Sequence, residues 1–147
     1  MRISEAGLAL IERTRADGSA EYLSQWNDNW GMYSLVGGHV EVGETFRECC
    51  IREVTEELGL TLEADFSVAP GPIAPLREYV ALSGSAKVET RYRVELYRVE
   101  LAAHAASQVA SDAANRWLTL PEVVAGVTDD GRPISAQVRT MFQLCGV

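Results

Sequence analysis

One helical segment, residues 46–58, constrains the fold of this chain more than any other part of the sequence. At about 100° per residue, the apolar residues of its first half form one stripe: Phe46, Cys49 and Cys50. The acidic residues of its second half continue that stripe: Glu53, Glu56 and Glu57. An amphipathic helix normally places apolar residues along this line, where it packs against a core. The segment therefore predicts a helix that holds carboxylates against the body of the domain.

These carboxylates repel one another when all are ionised in a partly buried site. A divalent cation removes this cost, because hard cations bind oxygen ligands and Mg²⁺ commonly joins carboxylates to substrate phosphates. The pattern thus favours metal-assisted attack on a phosphoanhydride. The alternative is an exposed helix with surface ion pairs, such as Arg52 with Glu56 at i and i+4.

The spacing around this helix decides between the two interpretations. Gly38 is followed after five residues by Glu44, after seven more by Arg52-Glu53-Val54, and then by Glu56-Glu57 and Gly59-Leu60. This stretch, residues 38–60, resembles the Nudix box at every fixed position. Nine such positions match by chance on the order of 10⁻⁹ per starting point. The resemblance implies an α/β Nudix fold, a mixed β-sheet sandwiched between α-helices.

The resemblance also implies roles for residues of the box. The implied ligands of Mg²⁺, with Mn²⁺ as an alternative, are Glu53, Glu56, Glu57 and the backbone carbonyl of Gly37 or Gly38. Glu44 and Arg52 are implied to pair and hold the loop against the helix, which Gly59 ends. We expect water to attack one phosphorus while a carboxylate takes its proton. Glu53 and Glu57 are both open candidates for that catalytic base.

A further metal ligand is expected outside the box. Many members of the family add an acidic residue from the loop before a late strand. Asp112 is the best-placed candidate, because it precedes the predicted strand at Arg116-Trp117-Leu118, and Glu100 is another. The alternative for both is a solvated acid, since isolated surface acids are common.

Aromatic and basic residues outside the box are candidates for substrate binding. Trp30 is the leading candidate for stacking on a nucleobase, because residues 27–31 have the composition of a loop. Arg91 is a candidate for terminal phosphates, since arginine suits bidentate phosphate contacts. The further candidates are Trp26, Tyr33, Tyr92, Arg77, Arg93 and His39. The alternatives are core aromatics and an exposed strand face with charge pairs.

The rest of the chain predicts one domain over residues 1–147. Strands are expected at 7–26 as a hairpin, and at 32–36, 77–82, 88–101 and 116–120. Gly37-Gly38 should stop the strand at 32–36, and 102–114 should form a loop or a poor helix. Further helices are expected from Pro121 and over 134–144.

Cysteine content and charge limit the location and the partners. The three cysteines are odd in number and two are adjacent, which predicts reduced thiols and a cytoplasmic protein. Cys49 and Cys50 are expected to pack in the core. The net charge of −8 argues against binding to DNA or RNA. The sequence has no pattern of a signal peptide or membrane span.

The expected activity is therefore that of a Mg²⁺-dependent pyrophosphohydrolase, acting on a nucleoside diphosphate linked to another moiety. The leading substrate class is a nucleoside or deoxynucleoside triphosphate, because the short chain resembles the compact MutT-like members of the family. The alternatives are ADP-ribose, dinucleoside polyphosphates and nucleotide sugars. An alternative of another class is a Nudix-like module that senses a nucleotide without cleaving it. A homodimer is implied by the family alone.

Overall fold

The predicted strands are present, together with two short strands that the sequence did not predict. The computed structural model describes residues 1–83 and 86–147. The strands are β1 Arg2–Thr14, β2 Ala20–Asn27, β3 Met32–Leu35, β4 Gly37–His39, β5 Phe66–Val68, β6 Arg77–Leu82, β7 Glu89–Leu101 and β8 Asn115–Thr119. The helices are α1 Phe46–Leu58, α2 Ala103–Ser111, α3 Leu120–Ala125 and α4 Ala136–Cys145. No helix within the described ranges is long and apolar enough to span a membrane.

Strand β1 lies at the centre of a mixed sheet. It pairs in parallel with β7 from Arg2 to Ile11 and antiparallel with β4 through residues 6–8. Its last residues, 12–14, pair antiparallel with β2. Strand β6 adds to β7, and strands β3 and β8 add to β2. The predicted hairpin and the mixed sheet are therefore confirmed.

Helices cover both faces of this sheet, because successive side chains of a strand point to opposite faces. Ala9 and Ile11 of β1 pack with α1 and α2 in one apolar cluster. Leu8 and Leu10 pack with α3 and α4 in the other. The predicted sandwich of a mixed sheet between helices is confirmed.

Local side-chain contacts fix both ends of α1. The Thr45 hydroxyl accepts a hydrogen bond from the Glu48 amide, and the Glu48 carboxylate accepts one from the Thr45 amide. This capping box satisfies two amides that have no partner within the helix. At the other end Gly59 has φ of 66°, which is the left-handed conformation that glycine adopts most readily. The helix predicted over 46–58 is confirmed.

The connections contain two short strands and a helix. Strand β3 ends at Leu35, just before Gly37-Gly38 as predicted, but residues 37–39 then form β4 against β1, which was not predicted. Residues 66–68 form β5, a strand too short to show a periodic pattern. Of the two alternatives left open for 102–114, the structure has a helix over residues 103–111, and its buried Ala105 and Val109 show that packing stabilises a segment of weak apolar character.

Candidate active site

Arg52 of α1 links the loop after β4 to the helix. Its guanidinium donates to both oxygens of Glu44, at 2.8 and 3.0 Å, and to the backbone carbonyl of His39 at 3.0 Å. The hydrogen bonds from Arg52 lower the pKa of the Glu44 carboxyl to about 2. The structure therefore brings Glu44 and Arg52 into the contact that the box implies.

Glu53 lies between Arg52 and the glycines of β4. Its Oε1 accepts a hydrogen bond from Arg52 Nη1 at 2.9 Å, and its side chain is only 14% exposed. A Cβ atom added at Gly38 would come within 2.4 Å of Glu53 Oε1. Glycine at this position therefore leaves the space that the carboxylate occupies.

Glu57 lies one turn farther along α1, on the side of Glu53. Its Oε2 accepts a hydrogen bond from the Gly37 amide at 3.2 Å. Burial, and then the neighbouring charge of Glu53, raise the pKa of Glu57 to about 8. Two carboxylates are thus held together at the end of β4, where like charges make full ionisation unfavourable.

Glu56 does not share this environment. Its side chain is 60% exposed and lies 3.4 Å from Arg52 Nη1, at the outer edge of the helix. The prediction that all three carboxylates lie on the inward stripe is corrected for Glu56, because its position is at the margin of the arc. Glu53 and Glu57 do continue the stripe of Cys49 and Cys50.

The donor chemistry fits a divalent cation, although the full ligand set is not assembled. Glu53 and Glu57 offer oxygen ligands of like charge beside glycines that leave room, which suits Mg²⁺ or Mn²⁺. Within residues 1–83 and 86–147, no three Asp, Glu, His or Cys side chains are arranged to hold a metal ion. The Gly38 carbonyl accepts a hydrogen bond from Cys49 Sγ at 3.2 Å. This carbonyl keeps a second lone pair for a metal ion, whereas the exposed Glu56 would have to reorient to join the ligand set.

A cavity of about 130 Å³ opens beside these carboxylates, and we call it the central cavity. Gly37, Gly38 and Glu57 line one end of it. Alternate residues of β1 line its floor: Arg2, Ser4, Ala6 and Leu8. Its other wall includes Trp30 and Tyr92. The cavity therefore joins the box carboxylates to aromatic side chains.

A second space of about 400 Å³, the aromatic recess, adjoins the central cavity. The two share Trp30, Tyr92 and Gln137 as lining residues. Within the recess, Tyr79 and Tyr92 stack with ring centroids 5.1 Å apart. The amide of Gln137 donates to the Tyr79 hydroxyl at 2.7 Å. The recess offers planar apolar surface with a side-chain amide among its lining residues.

The structure separates the predicted residues that lie outside the box. Trp30 lines both spaces and is 40% exposed. Arg91 does not reach them, because Tyr92 faces the cavity and its neighbour in the strand faces the opposite side of the sheet. Asp112 is exposed at the end of α2, where its carboxylate accepts a hydrogen bond from the Ala114 amide. Glu100 is exposed near the end of β7. Neither Arg91 nor Asp112 lines either space, and their roles in binding stay predictions.

Sequence reasoning missed polar residues that line the central cavity: Arg2, Ser4, Gln25 and Gln137. Gln25 donates to the Glu57 backbone carbonyl at 3.1 Å and to Asn115 Oδ1 at 2.9 Å, so it supports the end of α1. Isolated polar residues of this kind belong to no motif. The alternation along β1 is the one pattern that could have indicated Arg2 and Ser4.

The cysteines of α1 have the properties of packing residues. Burial raises the pKa of Cys49 to about 11 and that of Cys50 to about 12, so both stay protonated at neutral pH. We expect iodoacetamide at pH 8 to leave both unmodified in the native protein while it labels them fully in the unfolded chain. Peptide mass spectrometry measures this. Rapid labelling of either residue in the native protein, with loss of activity, would contradict the assignment.

A match to a protein family covers most of this chain. The sequence model of the NUDIX domain matches residues 3–139, which is nearly the whole chain. The chain belongs to the Nudix family. The box at residues 38–60 is therefore the Nudix box of a Nudix domain.

Individual relatives match this Nudix domain either over a short segment or at low sequence identity. A 32-residue segment is 53% identical to the NAD-capped RNA hydrolase NudC of Vibrio cholerae, and covers 22% of this chain and 12% of that relative. The dihydroneopterin triphosphate pyrophosphohydrolase of E. coli superposes with a TM-score of 0.65 at 18% identity, covering 98% of this chain and 97% of that one. The Ap4A hydrolase of C. elegans gives 0.59 at 17% identity, over 84% and 85% of the two chains. The structural matches establish a shared fold.

Proposed function

We propose that this Nudix domain hydrolyses a phosphoanhydride bond of a nucleoside diphosphate linked to another moiety, with Mg²⁺ or Mn²⁺ as cofactor. The observation that carries the proposal is the cavity that joins Glu57 and the glycines of β4 to Trp30 and Tyr92. One end suits a metal-bound pyrophosphate, and the other suits a planar base. The leading substrate class is a nucleoside or deoxynucleoside triphosphate.

Each box residue has a distinct task in this reaction. Glu53, Glu56, Glu57 and the Gly38 carbonyl would hold the metal, which when bound neutralises phosphate charge and lowers the pKa of water. Glu57 faces the cavity, whereas Glu53 is held by Arg52, so we assign the role of proton acceptor to Glu57. The contact of Arg52 with Glu44 keeps the loop and the helix in register.

Substrate specificity would come from the aromatic recess. Trp30 and Tyr92 can stack against the faces of a nucleobase. Stacking of this kind accepts different bases, because every base has a π-face. The amide of Gln137 can both donate to and accept from a base edge. A base in the recess would leave the sugar and phosphates in the central cavity, next to Glu57.

Substitution of Trp30 tests the placement of the base. We expect Trp30→Ala to raise KM about tenfold with little change in kcat, because it removes one stacking surface. Trp30→Phe should retain most of the affinity, since it keeps an aromatic face. Steady-state kinetics on the preferred nucleotide measure both variants. An unchanged KM in Trp30→Ala would place the base elsewhere.

A nucleotide panel tests the reaction itself. Purified protein with Mg²⁺ is mixed in turn with nucleoside triphosphates, ADP-ribose, NAD, dinucleoside polyphosphates and nucleotide sugars, and the products are separated by ion-exchange chromatography. We expect at least one compound to be cleaved at its pyrophosphate linkage, and EDTA to abolish cleavage. If compounds bind but none is cleaved with Mg²⁺ or Mn²⁺, the domain is a nucleotide-sensing module and the proposal fails.

A further inference from the structure

The central cavity has an arm that the proposed reaction does not use. This arm runs along β1 away from the Nudix box. Arg2, Ser4 and His39 line both the arm and the central cavity, and Ile3, Glu5 and Val40 complete the lining of the arm. Gly38 pairs with Gly7, and Arg2 lies five residues before Gly7 on the same strand. At about 3.3 Å per residue, some 17 Å of strand separate the two positions. We call this region the basic arm.

Arg2 contributes a guanidinium group to the lining of the central cavity. Among the described residues that line the central cavity, the recess and the arm, it is the one arginine or lysine. Its backbone is held in the sheet by pairing with Thr90 of β7, and its Nη1 donates to Ser83 Oγ at 2.9 Å. Ser83 follows β6, on the far side of β7 from β4. The guanidinium is therefore directed away from the box.

Arg2 forms no ion pair with the part of the chain that the structure describes. Within residues 1–83 and 86–147, no carboxylate forms a salt bridge with it. By contrast, Arg93 on the opposite face of the sheet binds both Glu5 and Glu78 at 2.8 and 2.9 Å. Arg2 is exposed, so its guanidinium is solvated and, in a chain of net charge −8, it is a cation at the central cavity that an anionic ligand can reach.

Ser4 and His39 extend the polar surface of the arm towards the glycines. Ser4 is 5% exposed, and its Oγ lies 3.0 Å from His39 Nδ1. Because one of the two donates to the other, the pair offers one free donor to a phosphate oxygen, either the Ser4 hydroxyl or His39 Nε2–H, according to the tautomer of His39. The order along the floor is then the box, the Ser4–His39 pair and finally Arg2.

From this order we infer that the basic arm binds a phosphate carried on the ribose of the substrate, remote from the phosphoanhydride that is cleaved. The inference rests on the proposed function and narrows its substrate class to nucleotides with a ribose-linked phosphate. Two phosphates joined by a single oxygen lie far closer together than the box and Arg2. The next phosphate of the same chain therefore does not account for the arm.

Matched substrate pairs test this inference. The first pair is ATP and adenosine 3′-phosphate 5′-triphosphate, and the second is NAD and NADP with its 2′-phosphate. A third compound, the 5′-triphosphorylated dinucleotide pppApA, carries a 3′-linked diester and separates an oligonucleotide end from a monoester. Each is measured with the wild-type protein and with Arg2→Gln, Arg2→Lys and Arg91→Gln. Arg91 is the matched control, because it is an exposed arginine on the opposite face of the sheet.

We expect kcat/KM to be at least about tenfold higher for one phosphorylated member than for its parent, mainly through KM. Arg2→Gln should abolish this preference, Arg2→Lys should retain part of it, and Arg91→Gln should retain all of it. Equal kcat/KM within each pair for the wild type, or an equal loss for both members in Arg2→Gln, would overturn the inference.

Binding measurements separate this inference from the proposed function. Isothermal titration calorimetry with the same compounds reports the preference even if no compound is cleaved. If the phosphorylated compounds bind preferentially through Arg2 but none is cleaved, the basic arm binds the ribose phosphate as inferred and the proposed hydrolase activity is contradicted. If the phosphorylated compounds are preferred neither in binding nor in turnover, the inference about the basic arm is overturned, whether or not the parent nucleotides are cleaved.

Discussion

Glu57→Gln is expected to lower kcat by about 10²–10⁴-fold, because it removes the assigned proton acceptor and one oxygen ligand of like charge. The amide is nearly isosteric and can still contact the Gly37 amide, so the fold is preserved. Phosphate release under saturating substrate and Mg²⁺ measures the effect. Glu63→Gln is the matched control, because Glu63 is exposed after the end of α1.

The same substitution should not destabilise the protein in EDTA. The pKa of Glu57 is raised to about 8, so the native state binds this proton more tightly than the unfolded chain does. The resulting stabilisation is complete below about pH 4.3 and is lost as the pH rises through about 8. Between these limits Glu57→Gln should have a Tm at or above that of the wild type, with the difference growing with pH. A variant that is inactive because it has unfolded would contradict the catalytic assignment.

Arg52→Ala is expected to have the second largest effect. It removes the cation shared by Glu44 and Glu53, whose side chains are only 13% and 14% exposed. Residues that orient metal ligands typically cost 10- to 100-fold in activity or metal affinity when replaced. We expect kcat/KM to fall by about this factor and Tm to fall by several degrees, because two partly buried carboxylates lose their partner.

A double-mutant comparison distinguishes this role from a general loss of charge. Glu44→Gln in the Arg52→Ala background should recover part of the lost stability, since the two residues interact directly. Arg98→Ala is the control, because its pair with Glu12 is exposed and contributes little. Equal effects of Arg52→Ala and Arg98→Ala on activity would show that the loop does not depend on Arg52.

Local patterns explain why the sequence predicts α1 and its box so well. Thr45, Glu48 and Gly59 act through contacts within a few residues, and the fixed spacing of the box carries the rest. Strand β4 was missed because adjacent glycines usually interrupt a strand, and here pairing with β1 overrides that tendency. Glu56 was misplaced because a position at the margin of a helical stripe is decided by tertiary packing.

Which residues can bind the substrate depends on which face of the sheet the cavity lies on. Alternation along β7 separates Tyr92 from Arg91, but periodicity does not say which side binds a ligand. The structure places the cavity on the side of Tyr92, together with Arg2 from the start of the chain. Such a meeting of distant residues has no local signal in a single sequence.

The most direct test of the account is a titration with Mn²⁺, followed by electron paramagnetic resonance of the free ion. We expect saturable binding to the wild-type protein, loss of that binding in Glu57→Gln and in Glu53→Gln, and unchanged binding in Glu63→Gln. We also expect Mn²⁺ to raise the Tm of the wild type but not that of Glu57→Gln or Glu53→Gln, because the bound ion offsets the repulsion between the two carboxylates. Equal Mn²⁺ binding by the wild type, Glu53→Gln and Glu57→Gln would contradict the claim that α1 forms the metal centre.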